Sequence, residues 1–283
     1  MDVLAYLWGP AADLAFRRGW THGVLALSLW PFVLTGAMLV THRAIRRWRP
    51  SPDGPPVSPR ELLLLSTISI VSHPVLDTLN TYGVRWLMPF SGRWFYGDVL
   101  FIVDPWLWLM MGVGVLLSRS STRPARISLG LAVAYTVAMA VSAAVARKEA
   151  GREILQHTGE LVAGLMLSPV PVTPFRRTIV AAQGDHYRVG RFRWLTAPRI
   201  SPDSLRTVPR GDPGDPVVAA ASRTTVGRRF LSWARFPSFR VESRGPDRYV
   251  VHIVDLRYAD RPGVSFGAVS IPITLPRASA ALE

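Results

Sequence analysis

No cysteine occurs among the 283 residues, so disulfides, thiolate catalysis and zinc–thiolate sites are excluded, and a metal would have to sit on His, Asp or Glu. Lysine is nearly missing as well: Lys148 stands alone, and all other basic residues are arginine, a bias we read as genomic rather than functional. Acidic residues are few, 19 Asp+Glu against 33 Lys+Arg, which leaves a net charge of +14. There is no Gly-rich phosphate loop, no G-x-S-x-G elbow and no H-E-x-x-H, so the commonest nucleotide, serine-hydrolase and zinc-protease motifs are absent. No DNA- or RNA-binding motif accompanies the charge. The arginines are therefore read as flanking membrane segments, and no nucleic-acid partner is expected.

What is present is hydrophobic sequence. Hydrophobic residues make up 49% of the chain, concentrated in four stretches, Gly23–Val40, Glu61–Leu79, Val99–Leu117 and Ile127–Ala146, each about the length that crosses a bilayer. The first lacks the basic flank and small-residue cleavage site of a secretory signal. A fifth stretch, Glu160–Val172, is short and proline-rich and is expected to be re-entrant or interfacial. Arg43, Arg46, Arg47, Arg49 and Arg60 follow the first span, and Arg119, Arg123 and Arg126 precede the fourth. By the positive-inside tendency these loops face the cytoplasm, and the loop carrying Arg85 and Arg93 faces outward.

After Pro174 the composition turns to short alternating runs: Thr178–Ala182, a Gly184-Asp185 turn, Tyr187–Trp194, an alanine-rich helix over Val217–Phe236, and strands at Phe239–Ser243, Arg248–Tyr258 and Val264–Leu275. The expected architecture is a mainly α-helical transmembrane domain of about four spans, residues 1–173, followed by a small soluble, basic α+β domain, residues 174–283.

The most informative run is His73-Pro74-Val75-Leu76-Asp77, because imidazole and carboxylate are costly to bury in lipid without a task. Residues four apart share a helix face, so His73 and Asp77 could bind one cation. Pro74 between them either bends the helix or leaves His73 ahead of a new turn. A structural histidine bonded to a neighbouring helix is the competing reading. His22, in Arg18-Gly-Trp-Thr-His22, is a second candidate ligand or an interfacial histidine beside Trp20. The topology puts His22, His73, Asp77, Asp98 and Asp104 at the same membrane face. Asp104 precedes Pro105 and suits a helix cap. Arg85 and Arg93 are candidates for holding a phosphate or carboxylate, or for pairing with Asp98 or Asp104. Asp2 reads from composition as a solvated terminal residue.

Taken together, Asp2-Val-Leu-Ala-Tyr, Arg18-Gly-Trp-Thr-His22, His73-Pro-Val-Leu-Asp77-Thr-Leu-Asn80-Thr-Tyr-Gly83, Pro89-Phe-Ser-Gly-Arg93-Trp-Phe and Asp98-Val-Leu-Phe-Ile-Val-Asp104-Pro-Trp resemble the LexA-regulated, YdjM-like inner-membrane group of membrane-bound, metal-dependent hydrolases. The resemblance covers roughly the first 115 residues, with echoes at Ser168–Arg177 and Trp233–Pro237. It implies a helical membrane core with a divalent metal, zinc or else manganese, on His22, His73 and Asp77. Asp2 would match the second acid of the family's P-D-x-D stretch. Members of the family begin with a further apolar helix carrying an early Thr-His, and the sequence here is expected to lack it; Arg17 stands where many members have His.

Two functions from different classes follow. One is a multi-pass inner-membrane hydrolase of an ester or phosphoester in a lipid-like substrate, with its site and C-terminal domain on the outer face. Arg85 and Arg93 would bind the anionic group, and Asp98 would act as base or orient a ligand histidine. The other is a non-catalytic scaffold or envelope-stress factor whose polar cluster joins helices. Membrane lipids are the expected partners of the basic C-terminal domain.

Overall fold

A computed structural model describes residues 18–48, 57–258 and 267–275. The chain divides into two compact units, Met1–Gly97 and Asp98–Glu283.

The first unit is built on two packed helices, α1 (Val24–Trp48) and α2 (Pro59–Thr78). Ser58 caps α2 by accepting a hydrogen bond from the Glu61 N–H, and Pro59 occupies the first turn, where its missing N–H costs nothing. Pro74 lies inside α2 without ending it, so His73 and Asp77 stand on successive turns of one helix. Arg46 and Arg47 occupy the last turn of α1, where cations complement the helix dipole. Both helices leave large apolar side chains uncovered, among them Leu29, Phe32 and Val40 on α1 and Leu64, Leu65 and Ile68 on α2. Beyond α2 the chain forms an ordered loop, pinned by a backbone bridge between Val84 and Phe95.

The second unit opens with α3 (Pro105–Leu117) and α4 (Arg123–Thr158), which pack together. Asp104 caps α3, its Oδ1 accepting from the N–H groups of Trp106 and Leu107, as its place before Pro105 suggested, and its Oδ2 accepts from the Tyr135 hydroxyl of α4. Gly114 is what allows the close approach of the two helices. A Cβ there would overlap the Ser128 side chain, whose hydroxyl donates to the Met110 carbonyl.

Two antiparallel sheets follow. The first, in spatial order, is β1 (Gly164–Pro169), β2 (Arg176–Gln183), β3 (His186–Arg193) and β4 (Arg206–Pro209). The second is β5 (Pro237–Ser243), β6 (Arg248–Asp255) and β7 (Ala268–Thr274), covered by the short helices α5 (Pro216–Arg223) and α6 (Thr225–Leu231). Alternation along β2 sends Ile179 and Ala181 against Ala146, Ala150 and Ile154 of α4, and Val180 into a separate cluster with Tyr187, Phe236 and Leu256. The first sheet is thus packed on both faces.

Several expectations are corrected. Among the described residues two helices, α1 and α4, rather than four, are long and apolar enough to cross a membrane. α2 has the length but carries Glu61, His73 and Asp77. Only 13 residues of the third stretch are helical, about 20 Å against a hydrocarbon layer of about 30 Å, because the Asp104 cap and Pro105 fix the helix start. Within the fifth stretch, Gly164–Pro169 is not a membrane segment that enters and returns but strand β1, paired with β2. Between the expected strand Tyr187–Trp194 and the expected helix, Arg206–Pro209 forms a further strand, β4. The helix expected over Val217–Phe236 is two, divided at Thr224, whose backbone is extended and whose hydroxyl caps α6 by accepting from Gly227 N–H.

Candidate metal centre

The turn over Arg18–Gly23 delivers His22 to the C-terminal end of α2. Its chain reversal uses Arg18 in the left-handed region (φ 53°) and hydrogen bonds from the N–H groups of His22 and Gly23 to the Gly19 carbonyl. The Arg85 N–H donates to the Arg18 carbonyl (2.8 Å), and Val24 N–H to that of Trp86 (3.0 Å), so the turn is fastened to the loop beyond α2.

His22, His73 and Asp77 come together there, with one donor atom from each lying within 4.8 Å of the others. His22 Nε2 and His73 Nε2 each stand 3.5 Å from Asp77 Oδ2. Around a tetrahedral zinc with bonds of about 2.0–2.1 Å, neighbouring donors sit about 3.3 Å apart, so the two imidazole–carboxylate separations are close to those of a shared cation, while the wider spread of the three atoms asks for a small shift of the exposed His73 side chain. The burial is graded: His22 is buried, Asp77 half-buried and His73 exposed, its side chain 67% accessible. His22 Nε2 is buried without a hydrogen-bond partner, a costly state that a metal ion would relieve.

The remaining polar contacts orient this set. Asp77 Oδ1 is held by the Arg18 guanidinium (3.1 Å) and faces the Asn80 amide (3.4 Å), which leaves Oδ2 toward the two imidazoles. Asn80 Oδ1 accepts from Arg18 (3.1 Å) and from the Tyr82 N–H (2.8 Å), and Arg18 stacks 4.4 Å above the Tyr82 ring. The other ring nitrogen of His22, Nδ1, is 2.7 Å from the Thr21 hydroxyl. With Nδ1–H donating to that oxygen, the lone pair of Nε2 faces the cluster.

The other sequence-stated candidates fall elsewhere. Asp2 lies outside the described residues. Arg85 is buried in the loop beyond α2, its guanidinium 4.8 Å over the Trp94 ring and packed against Gly19; burial pulls it below its ordinary value, with Tyr82 and Tyr96 acting the other way. Arg93 is exposed, 5.3 Å over the Phe95 ring. Asp98, expected as a base, belongs to the second unit and has both oxygens engaged: Arg235 Nη1 donates to Oδ1 (3.1 Å) and Oδ2 (2.9 Å), and Arg147 approaches Oδ2 (3.4 Å). A fully buried carboxylate engaged in this way is a structural tie between Arg235 and the start of the second unit. Arg18, Asn80 and Thr21 were not singled out by spacing, although all three lie within the motif runs that carry the family resemblance.

A family model described as YdjM inner membrane protein matches residues 1–147, the span that contains the whole His–His–Asp cluster. The chain belongs to the YdjM inner membrane protein family. Consistent with this family, the chain is a membrane protein with two helices suited to crossing a bilayer. It is also 22% identical over 274 residues to a Bacillus subtilis protein described as uncharacterized protein YfhP, covering 95% of this chain and 76% of that one. That similarity extends through the sheet region, beyond the part the family model matches. No solved structure matches.

Proposed function

We propose that this family member is a metal-dependent hydrolase of the inner membrane that cleaves an ester or phosphoester in a lipid-like substrate. The observation that carries this reading is the gathering of His22, His73 and Asp77, in which the buried His22 Nε2 has no hydrogen-bond partner and each imidazole stands 3.5 Å from Asp77 Oδ2. Three protein ligands with an exposed third member match catalytic zinc sites, which keep a position open, better than closed structural ones; manganese is the alternative. Bound there, a divalent ion supplies Lewis acidity toward the ester group.

The residues divide the remaining work. Arg18 and Asn80 fix the Asp77 carboxylate, Thr21 sets the His22 tautomer, the exposed Arg93 is available to the anionic group of the substrate, and the buried Arg85 braces the turn that carries His22. The chain is multi-pass: the arginines ending α1 and beginning α4 support placing those ends in the cytoplasm, and therefore the His22 turn and the sheets at the outer face.

The test is metal content by elemental analysis of the full chain purified in detergent without added chelator. Near-stoichiometric zinc or manganese is expected, lost in His22→Ala and Asp77→Asn, together with chelator-sensitive turnover of a phospholipid and phosphoester panel. Metal content indifferent to both substitutions would sink the metal site. Metal without any turnover would sink the hydrolase reading alone. The second reading, a non-catalytic scaffold, is favoured by the saturation of Asp77 Oδ1 by Arg18 and Asn80. It expects the same substitutions to lower stability with no response to metal or chelator.

A further inference from the structure

The β1–β2 loop and the adjoining ends of β2 and β3 enclose a cavity of about 390 Å³ in the second unit. Its lining contains Arg176, Arg177, Arg191, Arg193 and Arg257, and no carboxylate. Two of these cations are accounted for. Arg257 is paired with Asp255 at 2.7 Å, and Arg177 donates to the carbonyls of Asp98, Leu167 and Met139 while its Nε is buried without a hydrogen-bond partner. Burial pushes the Arg177 guanidinium down to about 10, which leaves it charged at neutral pH.

The other three are exposed, and among the described residues none has a carboxylate within ion-pair distance. The register makes them neighbours: Arg176 is directly opposite Arg193, and Thr178, on the same face, is opposite Arg191. Like charges directly across a ladder destabilise it, whereas guanidinia that share a phosphate gain paired, charge-assisted hydrogen bonds. The arrangement costs stability when empty and recovers it with an anion bound.

Where the cavity sits selects the anion. α4 has 36 residues, about 54 Å, which exceeds the hydrocarbon thickness of about 30 Å. Its first part presents Ile127, Leu131, Val137 and Val141 uncovered, while its charged part beginning at Arg147 runs with Ala150 and Ile154 under the sheet. The changeover coincides with the cavity: Arg177 bonds Met139, and Trp194, next to Arg193, donates to the Ser142 hydroxyl (3.0 Å). The loop itself is tied to α3 by Trp106 Nε1–H donating to the Val172 carbonyl, and it exposes Val172 and Phe175. An indole at a helix start and bare apolar residues beside arginines are the composition of a membrane–water boundary.

We propose that this cavity binds the headgroup phosphate of an anionic phospholipid from the bilayer that α4 enters. The site is separate from the metal cluster and stands or falls independently of it. It can be tested by calorimetric titration of the full chain in nonionic detergent with dihexanoyl phosphatidylglycerol, dihexanoyl phosphatidylcholine and inorganic phosphate. Phosphatidylglycerol should bind best, and the triple variant R176Q/R191Q/R193Q should weaken it on the order of a hundredfold. A control with equal charge loss elsewhere, R223Q/R229Q/R248Q, should bind as the parent does. Because the triple variant removes opposed like charges, its ligand-free melting temperature should not fall. Equal binding of phosphatidylcholine or of inorganic phosphate would overturn the anionic-lipid assignment, and equal weakening in the control would overturn the site.

Discussion

Arg235→Met isolates the strongest energetic claim about the second unit. Asp98 is fully buried with a left-handed backbone (φ 54°), a conformation that aspartate tolerates better than most residues. Arg235 supplies the only contacts shorter than 3.2 Å to its carboxylate among the described residues, at 3.1 and 2.9 Å, and Arg147 at 3.4 Å is too long and too exposed to replace them. Arg235 also donates to the Leu165 carbonyl of β1 (3.3 Å). Removing one partner of a buried pair strands the other charge, which costs about 3–5 kcal/mol. For a unit of this size that lowers the melting temperature by about 6–20 °C. The readout is thermal unfolding of the full chain in detergent, followed by tryptophan fluorescence, with Trp194 and Trp233 reporting from the same unit. Asp98→Asn and the double variant complete a cycle in which the second substitution should cost much less than the first. A loss below about 1 kcal/mol, or additive single losses, would refute the view that this pair is a buried structural tie.

Three further outcomes follow. Zinc at about a hundred times its dissociation constant should stabilise the chain by about 2.7 kcal/mol in melting experiments, with no gain in His22→Ala. Thr21→Val should weaken metal binding about 10–100-fold while Thr21→Ser retains it, measured by competition with a chromophoric chelator; an unchanged affinity would remove Thr21 as the residue that sets the tautomer. The Tyr187 hydroxyl donates to the Pro237 carbonyl (3.0 Å), and burial pushes its phenol above the ordinary value of 10.0. The folded state therefore keeps a proton that the unfolded state releases, so stability should fall as pH rises above that value. Denaturant titrations across this range should show a shallower alkaline decline for Tyr187→Phe than for the parent.

Much of the architecture was legible locally. Asp104-Pro105 announced a helix start and Gly184-Asp185 a hairpin turn, because caps and turns are decided by a few adjacent residues. The strand runs after Pro174 overlap β2, β3, β5, β6 and β7, since short runs rich in β-branched and aromatic residues bounded by turn residues favour strands. β1 was missed because Gly164–Pro169 is buried along most of its length and reads as one apolar run rather than an alternating one. The span count failed because hydropathy alone does not register a carboxylate cap that starts a helix late.

The sequence by itself determined the family, the absence of thiol chemistry and the side-chain types from which a metal site could be built. It also determined the His73–Asp77 pair, because four-residue spacing on a helix is a local matter that Pro74 did not interrupt. Only the tertiary structure decided which distant groups share that carboxylate. Arg18 meets Asn80 across 62 residues, and Asp98 is claimed by Arg235 across 137. No periodicity encodes such partners: a charge buried by packing must find its counter-charge wherever the fold brings one.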